Sequence, residues 1–401
     1  MGIEGLPKLI REVAGKQAID TKIFSDFKGM TIAVDASLMI YQIVIASRSS
    51  GRDMTNLEGK LTSHLNGMLF KILILLENQI CPIFVFDGKP PKIKNKSLLK
   101  RREIKERAEK NMEGLDEKSE EYIKNFKKTF RPSRDDIIEA QTLLDLMGIP
   151  YIVAPGEADV LCSWLASRKD ANGNRYAKGV CSDDSDMLAL GADYLFKNML
   201  KSMNKNNSTI VINLKKTLAR MKLTMSQFVD MCVLLGCDGC NRIKGIGPKT
   251  AYRFILKYGT LENVLKFIKK NFPNELTEEH RETLIDSRNY FRDAVKEVDK
   301  MNDFILTDDQ LKLRTFQYNE LMDFLCVKHN FDPIRIQKAV SRLKKAYDIM
   351  NVSRPNGKKV HVIIKPVPEN HNFSDIEFLS SSAEGPASKK HPLKDDTDKR
   401  A

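Results

Sequence analysis

The chain reads as an α/β protein with a mainly parallel sheet flanked by helices, and three observations predict it. Short apolar runs alternate with longer amphipathic segments through the first half, and each short run ends on an acid. Hydrophobic residues make up 42% and charged residues 30% of 401, which suits a globular chain long enough to bury a core. Runs at 31–34, 82–86, 150–153 and 178–181 read as buried strands, and segments 62–78 and 135–147 between them carry helical periodicity. Strands separated by helices favour parallel pairing with helices on both faces.

The stretch 92–131 is too polar for core and too helix-prone for a simple loop. It predicts a charged helical excursion with a break at Gly114. After Leu223 the pattern is helical almost throughout, interrupted by the glycine-rich stretch Cys237 to Lys249. Further helical patterns occupy 250–270, 277–300 and 333–347. From about Asn351, Pro355, Pro366, Pro368, Pro386 and Pro392 mark a tail expected not to pack.

Composition excludes several classes. No apolar run is long enough to span a bilayer; the best, 69–76, is interrupted by Lys71. The start lacks a basic segment followed by an apolar one, and Leu6 stands where a myristoylation signal wants Ser or Thr, so neither a membrane nor a secreted protein is expected. Seven scattered cysteines do not suggest disulfides. Cys232, Cys237 and Cys240 lack a fourth Cys or His at ribbon spacing, so zinc is not expected there. The net charge of +13, from 66 Lys and Arg against 53 Asp and Glu, favours a polyanionic partner. Residues 89–131 alone hold 15 basic and 8 acidic side chains.

The acids carry the chemistry. Val34 is followed by Asp35, Phe86 by Asp87, the run at 150–153 by Glu157 and Asp159, and Cys181 by Asp184 and Asp186. Asp238 sits in a tight turn. Ligands of open parallel sheets sit beyond the carboxyl ends of the strands, so these seven acids should converge at one edge. As single residues they could merely cap helices. As a set they need cations, because close carboxylates raise one another's pKa. Oxygen ligands select Mg²⁺ or Mn²⁺, and a pair of such ions about 4 Å apart suits hydrolysis of a phosphodiester. Lys94 and Arg101 lie two helical turns apart, about 10 Å along one face, close enough after Asp87 to bind the scissile phosphate. Ile243-Lys-Gly245-Ile-Gly247-Pro-Lys249 resembles a helix-hairpin-helix clamp, in which Gly245 and Gly247 let backbone amides face a DNA phosphate. No strand precedes it, which argues against a dinucleotide loop.

Taken in order, Met1-Gly-Ile-Glu-Gly-Leu6, Val34-Asp-Ala-Ser37, Tyr41-Gln42, Phe86-Asp-Gly-Lys-Pro-Pro91, Leu146-Met-Gly-Ile-Pro-Tyr151, Leu234-Leu-Gly236 and Gly245-Ile-Gly-Pro-Lys249 resemble the flap endonuclease family of structure-specific 5′ nucleases, from Met1 to about Ala346. The resemblance implies a mixed sheet in a PIN-like core. It implies an N-terminal nuclease region over 1–107, a helical arch or gateway over 92–131, and an internal region over 135–255 with a clamp at 236–255. A helical part at 256–347 and a tail at 348–401 complete the division. It also implies that Asp35, Asp87, Glu157, Asp159, Asp184, Asp186 and Asp238 hold two Mg²⁺, with Mn²⁺ as a substitute. Lys94 and Arg101 then act on the scissile phosphate, Tyr41 stacks on a displaced base (core packing being its alternative), and Arg48, Gly2, Gly245, Gly247 and Lys249 contact DNA. Residues 53–66 match a pocket for a one-nucleotide 3′ flap, and the helix-two-turn-helix element would bind K⁺.

The implied partner is branched double-stranded DNA with a 5′ flap, cut by a monomer in a nucleus during Okazaki fragment maturation and repair, with 5′-3′ exonuclease activity besides. The alternatives are a 5′ exonuclease or Holliday junction resolvase of the same superfamily, or a junction-binding protein without catalysis. Four departures stand out. Asp159 replaces the usual Glu, Gly239 replaces a typical aromatic, and insertions fall near 170–174 and 204–207. The Gln-x-x-hydrophobic-x-x-aromatic-aromatic peptide used for sliding-clamp docking does not appear beyond residue 346. These fit a viral or otherwise divergent lineage.

Overall fold

Seven strands form one sheet in the order β1-β7-β6-β5-β2-β3-β4, where β1 is Ile19–Ile23, β2 Thr31–Asp35, β3 Cys81–Phe86, β4 Tyr151–Val153, β5 Val180–Cys181, β6 Tyr194–Lys197 and β7 Ser208–Asn213. This computed structural model describes residues 2–89, 95–116, 119–170, 173–201, 208–301, 304 and 306–352. The pairs from β6 through β5, β2 and β3 to β4 are parallel. The pairs β1–β7 and β6–β7 are antiparallel. The sheet is therefore mixed and mainly parallel.

The four expected strands are present, with β4 starting at Tyr151 and β5 reduced to two residues. β1, β6 and β7 were not expected. All six residues of β3 are buried, as a strand covered on both faces requires. Side chains alternate across β2 and β3. Ala33, Ile83 and Val85 face one core with the helices Leu6–Ala14, Ala158–Ser167, Met225–Leu235 and Glu278–Asp299. Ile32, Val34, Phe84 and Phe86 are equally buried, on the face where Ala36–Ser49 and Ser63–Glu77 pack, backed by Arg134–Met147 and Pro333–Val352.

Two expectations need correction. The single helical pattern over 250–270 is two helices, Pro248–Tyr258 and Leu261–Asn271, because Gly259 ends the first at φ +82° and the Thr260 hydroxyl caps the second by accepting from the Asn263 amide. The pattern over 333–347 runs on to Val352. Residues 353–401 lie outside the described residues, as do the 204–207 insertion and Lys94. The basic stretch forms the helices Asn95–Lys110 and Glu120–Thr129 with Gly114 between them at φ +77°. Of Arg101 only the helical backbone is described.

Candidate metal and DNA site

The parallel strands deliver their acids to one sheet edge. Asp35 ends β2 and caps the next helix, its Oδ1 accepting from the Leu38 amide at 2.9 Å. Asp87 follows β3 and accepts from the Ala158 amide at 2.9 Å, which ties it to the helix start that carries Glu157 and Asp159. Beyond β5, the Ser182 hydroxyl accepts from the Asp184 amide at 3.0 Å, and Asp184 Oδ1 accepts from the Asp186 amide at 2.9 Å. So several of these acids do cap helices and turns, and the same bonds fix their positions.

Electrostatics joins the groups. Burial and then the Asp87 charge push the Asp35 carboxyl up to about 7, with Asp184 adding to it. Burial and then Asp238 push Asp184 up as well. Glu157, Asp159, Asp186 and Asp238 line one pocket with Ser287 and Tyr290. The third acid of the β5 loop, Asp183, has other partners: Gln42 donates to it at 2.8 Å and Lys201 pairs with it at 2.6 Å.

The donor set around this edge is carboxylate oxygen, which suits Mg²⁺ or Mn²⁺. The seven acids surround the site at wider spacing than a closed trio. Among the described residues, the only group of three candidate ligand atoms within 4.8 Å of one another is His64, Asp136 and Glu139. The raised Asp35 carboxyl gives a test. Its pKa of about 7 lies above the ordinary 3.8, so its share of stability is full below about pH 4 and is lost as pH rises through about 7. In metal-free protein, Mg²⁺ is therefore expected to raise Tm more at about pH 8 than at about pH 5, and Asp35→Asn to flatten that difference. Thermal unfolding across pH measures both.

Sequence reading missed two side chains here. The Tyr290 hydroxyl donates to Glu157 Oε2 from the helix Glu278–Asp299. Burial and the Glu157 charge raise its pKa, so it stays a donor. Lys197 donates to the Asp183 carbonyl, and its charge reaches Asp184. Neither carries a local signal, since both partners are distant in the chain or read as core. Glycine at 239 has a physical setting: a Cβ there would lie 2.7 Å from Ser287 Oγ.

Gly2 sits against this edge. Its φ is +83°, and a Cβ would lie 2.0 Å from Asp184 Oδ1. The Tyr41 ring stacks on Phe130 with centroids 6.2 Å apart, and its hydroxyl donates to the Lys127 carbonyl at 2.7 Å. Arg48 pairs with Asp53 at 2.5 Å and lies over the Phe126 ring at 4.8 Å. In the hairpin, Gly245 takes φ +80°, and beyond the adjoining residues no heavy atom lies within 4 Å of a Cβ built on Gly245 or Gly247. Space is thus open over these two backbones, at the start of the helix Pro248–Tyr258. Lys249 reaches Glu12 at 3.1 Å while staying mostly exposed.

The chain is similar to known proteins in sequence and in fold. The XPG N-terminal domain matches residues 1–108 and the XPG I-region residues 148–238. Flap endonuclease 1 of Phytophthora infestans is 35% identical over 367 residues, covering 88% of this chain and 91% of that one. Its Homo sapiens counterpart is 35% identical over 357 residues, covering 86% and 87%. Among solved structures, flap endonuclease-1 from Methanococcus jannaschii superposes with a TM-score of 0.59 at 30% identity, over 83% of this chain and 98% of that one. The catalytic core of Rad2 in complex with DNA substrate shares the fold, with a TM-score of 0.57 at 24% identity over 85% and 100% of the two chains. With the acids of four strand ends gathered at one edge and identity sustained over most of both chains, the chain belongs to the flap endonuclease 1 family.

Proposed function

We infer that this chain is a structure-specific endonuclease that cuts DNA at 5′-flap/duplex junctions, in replication and repair. Its family makes it a nuclease of DNA phosphodiester bonds. What supports the finer reading is one observation: the charges of Asp35, Asp87, Asp184 and Asp238 act on one another in sequence, and Asp238 shares a pocket with Glu157, Asp159 and Asp186. Two Mg²⁺ ions held by Asp35, Asp87, Glu157, Asp159, Asp184, Asp186 and Asp238 would supply an activated water and neutralise charge at the scissile phosphate, with Mn²⁺ as a substitute.

The chain's own residues do the rest. Tyr290 orients Glu157, and the amides of Leu38, Ala158 and Asp186 hold Asp35, Asp87 and Asp184. Lys94 and Arg101 would draw the scissile phosphate inward, with the helices Asn95–Lys110 and Glu120–Thr129 flanking the 5′ strand. Gly245, Gly247 and Lys249 would grip the duplex backbone, with K⁺ at the hairpin, so binding should weaken steeply with salt. Tyr41, Arg48 and Gly2 would border the junction, as would residues 53–66 on the 3′-flap side. The protein would act as a monomer on branched DNA in a nucleus, without the usual clamp-docking peptide.

The test is incubation of a double-flap DNA with Mg²⁺, mapping the incision to one nucleotide beside blunt duplex and four-way junction. The expected result is a single cut next to the junction, leaving a 5′-phosphate and a 3′-hydroxyl. Preference for the four-way junction, or stepwise loss from the blunt end alone, would overturn it.

A further inference from the structure

A second group of ligand-type side chains lies in the helical layer behind β3. His64 opens the helix Ser63–Glu77 at 1% exposure, and its Nε2 makes no hydrogen bond. Facing it at 3.6 Å is Glu139 Oε2 on the helix Arg134–Met147, also buried and without a hydrogen bond. The other Glu139 oxygen is engaged, accepting from Lys60 Nζ at 2.7 Å. Asp136, one turn earlier on the same helix, brings an oxygen within 4.8 Å of both. His329 is 1% exposed with both ring nitrogens buried and unpartnered. The charges of Glu139, Lys60 and His64 all act on its ring.

We propose that His64, Asp136 and Glu139 form a binding site for a zinc-type divalent ion that ties the helices Ser63–Glu77 and Arg134–Met147 together. Uncompensated buried polar atoms are costly, and one ion would satisfy several of these at once. Burial drives the His64 ring towards its neutral form, the form that ligates metal. Imidazole with carboxylate selects zinc-like ions over Mg²⁺. Two ligands about 2.1 Å from a tetrahedral ion stand roughly 3.4 Å apart, close to the 3.6 Å between His64 Nε2 and Glu139 Oε2. Lys60 counts against binding by its charge, yet leaves Glu139 Oε2 free. The ion would link positions 64, 136 and 139 and stabilise the fold by binding only the native state.

The experiment uses the full chain, stripped with chelator and kept in millimolar Mg²⁺ so that carboxylate-only sites are occupied. Zn²⁺ is then titrated, and bound metal and Tm are read; Co²⁺ reports coordination through its visible absorption. The expected result is one retained Zn²⁺, a Tm rise with Zn²⁺, and a Co²⁺ spectrum with nitrogen ligation. His64→Gln should remove all three, whereas Asp184→Ala should leave them. Should His64→Gln fail to fold, Asp136→Asn, on a half-buried residue, is expected to weaken Zn²⁺ binding at least about tenfold. No retained Zn²⁺ in the unmodified chain, or retention in Asp136→Asn and His64→Gln equal to that of the unmodified chain, would overturn the proposal.

Discussion

Asp184→Ala is expected to slow single-turnover cleavage of a 5′-flap duplex by about 10³-fold or more, which corresponds to roughly 4 kcal/mol of lost transition-state stabilisation. Asp184 is 8% exposed, takes the Asp186 amide, and lies where the Asp238 charge reaches it. Removing it takes away one acid and also frees the backbone that positions another. Junction binding should persist, because the Gly245–Lys249 hairpin and the basic helices lie elsewhere in the chain. Rapid-quench kinetics beside an equilibrium binding assay separates the two effects, and normal turnover would refute the assignment.

Gly88→Ala should damage fold and site together. A Cβ at Gly88 would lie 1.9 Å from the Ala154 carbonyl oxygen, which is backbone and cannot swing away. The Gly88 amide also donates to the Gly156 carbonyl at 2.7 Å. Relief requires the end of β3 and residues 154–156 to part, at a cost of about 1–3 kcal/mol. Asp87 moves with Gly88, and Glu157 and Asp159 move with Gly156, so the two acid-bearing segments lose their register. Cleavage is expected to fall about 10²-fold, as misplacement of reacting groups by an ångström does, with more Mg²⁺ needed for half-maximal rate. Wild-type Tm with wild-type Mg²⁺ dependence would contradict the account.

The strands read from sequence are those whose chemistry is local. β2 and β3 are continuous apolar runs because both faces are covered. β1 was invisible because it is an edge strand with one buried residue in five, and short β6 and half-buried β7 lack a clean alternation. The helix break at Gly259 was lost because apolar spacing continues through it. The acids were legible because parallel topology sends strand ends to one edge, so position along a strand encodes position in space. Tyr290, 133 residues from Glu157, and the pairing of His64 with Glu139 depend on tertiary packing that no local pattern records.

The central claim is that the seven carboxylates together hold two divalent ions. Anomalous diffraction from crystals soaked in Mn²⁺ tests it most directly. Two peaks about 4 Å apart, bounded by Asp35, Asp87, Glu157, Asp159, Asp184, Asp186 and Asp238, are expected. Peaks elsewhere alone, or none among these residues, would contradict it.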